Sequence, residues 1–304
     1  MTIFGIYKTY PFRVPARVKF FNIFRYIFKF AFSEKYLVAR LAAGSRKFWN
    51  KFIPPLYFYR SGSFRTAERG NIKFRLDISK QLDHSIYFYA IKDVAWENLF
   101  KILRPDFNVI DVGANIGLLS LTFASRCPQG IIYSFEPDSE TFQKLYQNVN
   151  LNSFNNIKLF RQAIGARKTT GKLYKLYASN PGANRILQDK PAVSVPSELV
   201  EIDTLDQYDQ LGYFSGVDLI KIDVEGFELF VLEGARDLIN RWTPILFVEL
   251  VEQNLKQQGC SANSLLQYVR QLGYVILDAK TMHPLKSSDH YYTDIICFPQ
   301  STKE

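Results

Sequence analysis

Cysteine and histidine are scarce in this 304-residue chain: three of each, Cys127, Cys260 and Cys297, and His84, His283 and His290. The cysteines are odd in number and far apart, and no CxxC pair occurs. A disulfide framework and a structural zinc site are therefore excluded, and three packed thiols in a reducing cytoplasm are expected. Internal repeats and low-complexity tracts are absent. No G-x-x-x-x-G-K-[S/T] loop is present, which argues against a nucleotide triphosphatase. Near the N-terminus no charge-free run approaches the roughly 20 residues of a spanning helix. Charges break the same stretch and no small-residue cleavage site follows, so a signal peptide is not expected either.

Acidic residues are almost missing from one region only. Residues 1–60 hold twelve Lys/Arg and one acid, Glu34, or +11. The other 244 residues carry 26 basic and 28 acidic side chains, or −2, which accounts for the net charge of +9. The basicity belongs to an N-terminal segment and not to the body. A nucleic-acid substrate is not expected, because a polyanion-binding catalytic face should itself be basic.

What is present begins with residues 17–32, where Phe20, Phe24, Ile27, Phe28 and Ala31 fall at helical spacing among Arg17, Lys19, Arg25 and Lys29. This predicts one basic, aromatic-rich amphipathic helix. Such a helix can lie on an anionic membrane surface. It can equally pack its Phe face on the catalytic domain, or on a second subunit to make a homodimer; a nucleic-acid arm is a third reading. Residues 44–66, with Gly44, Pro54, Pro55 and Gly62, read as a connector. The expected division is an N-terminal extension over 1–66 and a catalytic domain over 67–304.

Hydrophobic residues at 47% and charged residues at 22% allow a sizeable core. The domain alternates short apolar runs with amphipathic stretches, the pattern of βαβ units. Strands are predicted at 108–112, 130–135, 157–160, 217–222 and 243–248, with a closing pair at 274–277 and 294–298. Helices are predicted at 118–125 and 137–150. The fold class is thus α/β, doubly wound, with a mainly parallel seven-stranded sheet. Four of these strands carry an acid at or near their carboxyl ends: Asp111, Glu136, Asp223 and Glu249. In open α/β sheets ligands bind outside those ends, so the acids should gather around one crevice.

The turn Asp111-Val-Gly113-Ala-Asn115-Ile-Gly117 has the strand–turn–helix setting of a dinucleotide site but lacks its glycines. Asn115 and Leu118 stand where a G-x-G-x-x-G fingerprint requires glycine for close approach to a pyrophosphate. A ligand without phosphates, such as S-adenosylmethionine (SAM), needs only the tight turn. Glu136, 19 residues after Gly117, is placed to grip both ribose hydroxyls.

Together, Phe74-Arg-Leu-Asp77, Val109 to Gly117, Phe135-Glu-Pro-Asp138, Ile202-Asp-Thr-Leu205 and Ile220-Lys-Ile-Asp-Val-Glu-Gly-Phe-Glu228 resemble the FkbM family of class I methyltransferases from about Asn71 to Phe298. The resemblance implies SAM as cofactor, with Asp111, Gly113, Asn115 and Gly117 at its methionine end, Glu136 on the ribose and Gln162-Ala163 at the adenine edge. It also implies Asp223 and Glu225 beside the transferred methyl, and O-methylation of sugars, polysaccharides or polyketides. One departure is Lys92-Asp93, where the family often has Tyr-Glu.

Methyl transfer to a hydroxyl needs positioning and a general base within hydrogen-bond reach. The candidates are Asp223, Glu225 and Glu249, Asp223 foremost; a purely cofactor-binding role for Asp223 stands beside this. Glu228 and Glu233 are expected on the solvated face of a helix, and His290 on a surface loop. Clustered acids could instead hold a divalent metal, a reading not favoured, and no metal ligands are assigned. The expected acceptor is a hydroxylated metabolite or glycan, met in the cytoplasm or on the inner membrane face. Two other functions remain: a non-catalytic membrane-associated α/β scaffold, and a nucleic-acid methyltransferase. The latter lacks the N/D-P-P-Y/F motif after the fourth strand, where Asp223-Val-Glu-Gly226 stands.

Overall fold

A computed structural model describes residues 16–42, 46–89, 93–187, 194–288 and 290–300. Lys92, half of the departure noted above, lies outside them. The chain forms two compact units, Met1–Ala67 with Arg75–Ile91, and Glu68–Phe74 with Lys92–Glu304.

In the first unit the single helix expected over 17–32 is two, α1 (Ala16–Ile27) and α2 (Ala31–Ala42). The Ser33 hydroxyl donates to the carbonyls of Ile27 and Phe30, and such side-chain bonds to the backbone compete with the helical ladder. After α3 (Arg46–Trp49) come helical turns at Asn50–Phe52 and Leu56–Phe58. Phe52 is an aromatic hub, its ring 5.4–6.4 Å from those of Phe21, Phe24, Phe28, Phe48 and Trp49. Part of the Phe face of α1 is thus packed within its own unit. Strands β1 (Phe64–Arg69) and β2 (Ile72–Asp77) form a hairpin whose tip belongs to the second unit, and α4 (Gln81–Phe88) follows. Glu34, 1% exposed, accepts from Arg65 and from the Tyr59 hydroxyl, so the lone acid of the basic segment is a buried, paired one.

The second unit runs α5 (Val94–Ile102), β3 (Val109–Val112), α6 (Leu118–Arg126), β4 (Ile132–Phe135), α7 (Ser139–Asn150) and β5 (Ile157–Phe160). Then come β6 (Ala163–Ile164), β7 (Thr169–Tyr174), β8 (Arg185–Ile186), β9 (Ser197–Asp203), α8 (Leu205–Gln210) and β10 (Leu219–Ile222). It closes with α9 (Glu228–Glu233), α10 (Arg236–Trp242), β11 (Ile245–Val251), α11 (Glu252–Lys256), α12 (Ala262–Gln271), β12 (Tyr274–Asp278) and β13 (Tyr292–Pro299).

Seven strands make one sheet in the order β12-β13-β11-β10-β3-β4-β5, parallel except where β13 meets its two neighbours. The doubly wound α/β sheet expected from the sequence is the observed one. Its central strands β3, β4 and β10 are buried at every residue, which is why they read as continuous apolar runs. One face packs on α5 and α6 through Ala95, Leu99, Leu119 and Phe123; the other packs on α8, α9, α10 and α12 through Leu205, Val231, Leu238 and Leu265. Helix starts are capped: Asp93 accepts from the Ala95 and Trp96 amides, and Asp138 from that of Thr141.

A four-stranded sheet, β6-β9-β7-β8, was not foreseen. Its strands are half exposed and its buried core is only Ala163, Leu173, Val200 and Ile202, so no strong apolar run announces it.

The buried ring of Phe123 meets Phe100 in the core beneath α6. Phe123→Ala should destabilise the second unit by about 3–5 kcal/mol, read as a lower denaturant midpoint with unchanged slope.

Candidate active site

The registers of β13, β11, β10, β3 and β4 pair Glu249 with Asp294, Val248 with Ile222, Ile222 with Val112, and Val112 with Phe135. The next position on each parallel strand therefore lies in one row across the carboxyl edge: Asp294, Glu249, Asp223, Gly113, Glu136. Strand-end acids far apart in sequence become neighbours by register alone.

At the centre of the row Gly113, at φ +82°, lets the backbone of β3 turn against that of β10. A Cβ there would stand 1.9 Å from the Asp223 carbonyl, so no other residue fits. Asn115 also takes a left-handed φ, 51°, which asparagine tolerates, and its side chain accepts from the Ile116 amide. Its own amide donates to Glu136 Oε2 at 2.9 Å, and the Asp138 amide donates to Oε1 at 2.9 Å. Gly117 opens α6.

Beneath the turn lies a buried ion pair. Lys221 Nζ is 3.1 Å from Asp111 Oδ1, 2.8 Å from the Gly113 carbonyl and 3.7 Å from Asp223 Oδ2. Ser120 donates to Asp111 at 2.6 Å, and Ser134 to Ser120 at 2.9 Å. Burial works against the Lys221 charge, yet Asp111 and then Asp223 hold its pKa above the ordinary lysine value. Asp111 is wholly buried, so it acts on the turn from below, through Lys221.

On the other side, Glu225 sits at φ 57° in the turn after β10 and is clamped by Arg185 (3.0 Å) and Asn254 (2.9 Å). Arg185 also donates to Asn254 and Gln257. It belongs to a strap, residues 180–186, that crosses from the inserted sheet. Gly182 of this strap approaches so closely that a Cβ would be 2.7 Å from Asn115 Nδ2, and Asn184 donates to Asp138 at 3.3 Å.

Three acids of the row, Glu249, Asp294 and Glu136, favour their protonated forms. Burial, then Asp223, Glu228, Glu225 and Asp294, push Glu249 up to about 10, and its Oε2 is buried without a hydrogen-bond partner. Burial, then Asp223 and Asp93, push Asp294 up to about 7. Burial raises Glu136 to about 7 against its two amide bonds, and raises Glu225, with Asp223 adding and Arg185 opposing. The Asp223 side chain is 46% exposed.

One expectation is corrected. Glu228 is buried, not solvated, because its carboxylate accepts from the Val224 and Gly226 amides and so shapes the turn that carries Glu225; burial pushes it up to about 7. Glu233 and His290 are exposed, as expected. Gln162 is half-buried and Ala163 buried, just past the carboxyl end of β5. Sequence reasoning passed over Lys221, Arg185, Asn254 and Asp294. For Lys221 a signal existed, a lone charge inside Leu-Ile-Lys-Ile; for Arg185 none did. Among the described residues, no group of three or more His, Cys, Asp or Glu could hold a metal ion, and no helix is long and apolar enough to cross a membrane.

A family model, the methyltransferase FkbM domain, matches residues 111–276, over half the chain, and the protein belongs to that methyltransferase family. It is 28% identical to Methyltransferase 1 of Beauveria bassiana over 181 residues, 53% of this chain and 71% of that protein. It is 24% identical to the 2-O-methyltransferase NoeI of Sinorhizobium fredii, over 50% of this chain and 66% of that one. A crystal structure of an FkbM methyltransferase from Methylobacillus flagellatus superposes with a TM-score of 0.43 at 18% identity, covering 65% of this chain and 45% of that one.

The raised Glu249 has a consequence for stability. An unfolded glutamate loses its proton near 4.3, whereas folded Glu249 keeps it up to about 10. Between those values the folded state binds more protons, so its contribution to stability, complete below pH of about 4.3, falls as pH rises. Glu249→Gln, which cannot ionise, should gain on the parent protein in thermal midpoint at about pH 8–9, with the gap narrowing toward about pH 5. A gap independent of pH would contradict this assignment.

Proposed function

We propose that this methyltransferase carries a methyl group from SAM to a hydroxyl of a sugar or related metabolite. The observation that carries the reading is the single row in which Glu136, Gly113 and Asp223 stand side by side at the carboxyl edge. The residues fit the cofactor. Each Glu136 oxygen accepts one amide hydrogen and keeps a second lone pair, capacity enough for the two hydroxyls of a ribose. Ligand hydroxyls donating there would also hold the carboxylate ionised. The orphaned buried oxygen of Glu249 leaves one hydrogen-bonding position open to a ligand. When bound, SAM supplies an electrophilic methyl on a good leaving group.

The chain's own residues then divide the work. Gly113, Asn115 and Gly117 form the tight turn at the methionine end, and Gln162-Ala163 the edge for the adenine. Asp223 is the acid of the row open to solvent, so it is the group that can accept a proton from an acceptor hydroxyl. Glu225, fixed by Arg185 and Asn254, borders the same space. Glu249 holds its proton at neutral pH and serves as a hydrogen-bond donor and not as the base. The alternative of a non-catalytic scaffold has no decayed turn to support it.

Calorimetry tests the cofactor step: Glu136→Ala should weaken SAM binding about tenfold to a hundredfold, the loss of hydrogen bonds to a charged group. No heat from the intact protein would sink the enzyme reading. With labelled SAM and an accepted substrate, Asp223→Asn should lower kcat by about 10²–10⁴ with little change in SAM affinity.

We further propose that the basic segment rests on an anionic membrane surface. Phe20, Ile23, Phe24 and Ile27 form an exposed stripe along α1, continued by Phe30, with Arg25 and Lys29 beside it. In flotation with anionic vesicles, the double variant Phe20→Ser, Ile27→Ser should lose most of the bound fraction. Equal flotation of both proteins would remove the idea.

A further inference from the structure

The acid row does not end at a flat edge. The strand pair continues two residues beyond Glu249 and Asp294, where Val251 pairs with Tyr292. Residues two apart share a sheet face, so Tyr292 lies on the same face as Asp294, about 7 Å further out. At that point a cleft of about 580 Å³ opens, lined by Val251, Gln253, Lys256, Gln257, His290 and Tyr292 among others. That volume is in the range of pockets that hold small organic ligands.

The chemistry of the lining is specific. Tyr292 is 82% exposed, the most open of the large hydrophobic side chains among the described residues, yet it stands on a regular strand with its backbone laddered to β11. A ring so exposed offers a face on which a partner can stack. From α11 and the residue that ends it come the exposed amides of Gln253 and Gln257, the latter already accepting from Arg185 of the strap. Lys256 is paired with Glu252 at 3.0 Å, so the wall carries no unbalanced charge from that pair. A flat aromatic platform, planar amides that donate and accept, and a neutralised ion pair match a neutral polyhydroxylated ring. An anion would find the only lysine of the wall already engaged, and a wholly apolar ligand would strip water from the amides without replacing their bonds.

We infer that this cleft holds the methyl acceptor as a neutral saccharide, one ring stacked on Tyr292 and a hydroxyl directed back toward Asp223 and Glu249. This rests on the methyltransferase reading of the adjoining row. It adds a site, a stacking residue and a charge class for the acceptor.

The test is saturation-transfer NMR with the methyl glycosides of glucose, galactose, mannose and fucose, in the presence of S-adenosylhomocysteine. The intact protein should saturate the ring protons of at least one glycoside. Tyr292→Ala should weaken that binding about fivefold to tenfold, and Tyr292→Phe, which keeps the ring, should retain it. Because the side chain is exposed, neither change should alter folding, and calorimetric SAM affinity should stay within about twofold of the parent. No saturation of any glycoside by an intact protein that binds SAM would overturn the saccharide site and leave the transferase reading standing. Binding that survives Tyr292→Ala unchanged would likewise overturn it. Tyr292-dependent glycoside binding by a protein with no affinity for SAM would support the site while overturning the transferase.

Discussion

A single buried ammonium organises the crevice. Lys221, inside an otherwise apolar strand, reaches Asp111, the Gly113 carbonyl and Asp223. An ion pair in so dry a place is not a cheap source of stability, because desolvating two charges offsets most of their attraction. What it supplies is position. The glycine turn, the first strand and the fourth strand are tied to one atom, and the Gly113 backbone can approach Asp223 only because no side chain intervenes. Shifting that atom would move the glycine turn and the exposed acid together.

Around this centre the electrostatics are graded. Acids beside Lys221 have a cation to share; those further along the row, Glu249 and Asp294, face mainly other acids and low-dielectric packing. The result is a crevice with an exposed carboxylate near its middle and protonated ones toward the side of β13. Arg185 tempers Glu225, which has both a cation and an amide as partners. An exposed acid and buried, proton-holding ones thus coexist in one row made from a single kind of side chain.

Much of this was readable in the residues, and what was not has physical reasons. The central strands of the main sheet announced themselves because strands buried on both faces are mainly apolar, and the acids marked where they stop. The inserted sheet escaped notice since its strands bury little and alternate weakly. Glu228 was misread as solvated: it falls on a helix start, where the chain's own amides replaced water as its partners. The break between α1 and α2 turned on one hydroxyl, Ser33, invisible to a periodicity argument. Arg185 and Asn254 lie far from Glu225 in sequence, and only the crossing of the strap and the placement of α11 after β11 bring them to it. Asp294 needed the antiparallel register of β13 to join the row.

The strap has an implication for how such an enzyme can diversify. Its residues touch the glycine turn at Asn115, the capping acid Asp138 and the turn acid Glu225 within six positions of one another. An inserted sheet would ordinarily be free to drift while the parent fold stays fixed. Here a larger residue at Gly182 would press on Asn115 of the glycine turn, and a lost guanidinium at Arg185 would release Glu225. Evolutionary change in the insertion is therefore epistatic with the glycine turn and, through Asn254 and Gln257, with α11, whereas the exposed edge of β13 at Tyr292 carries no such tie to the strap.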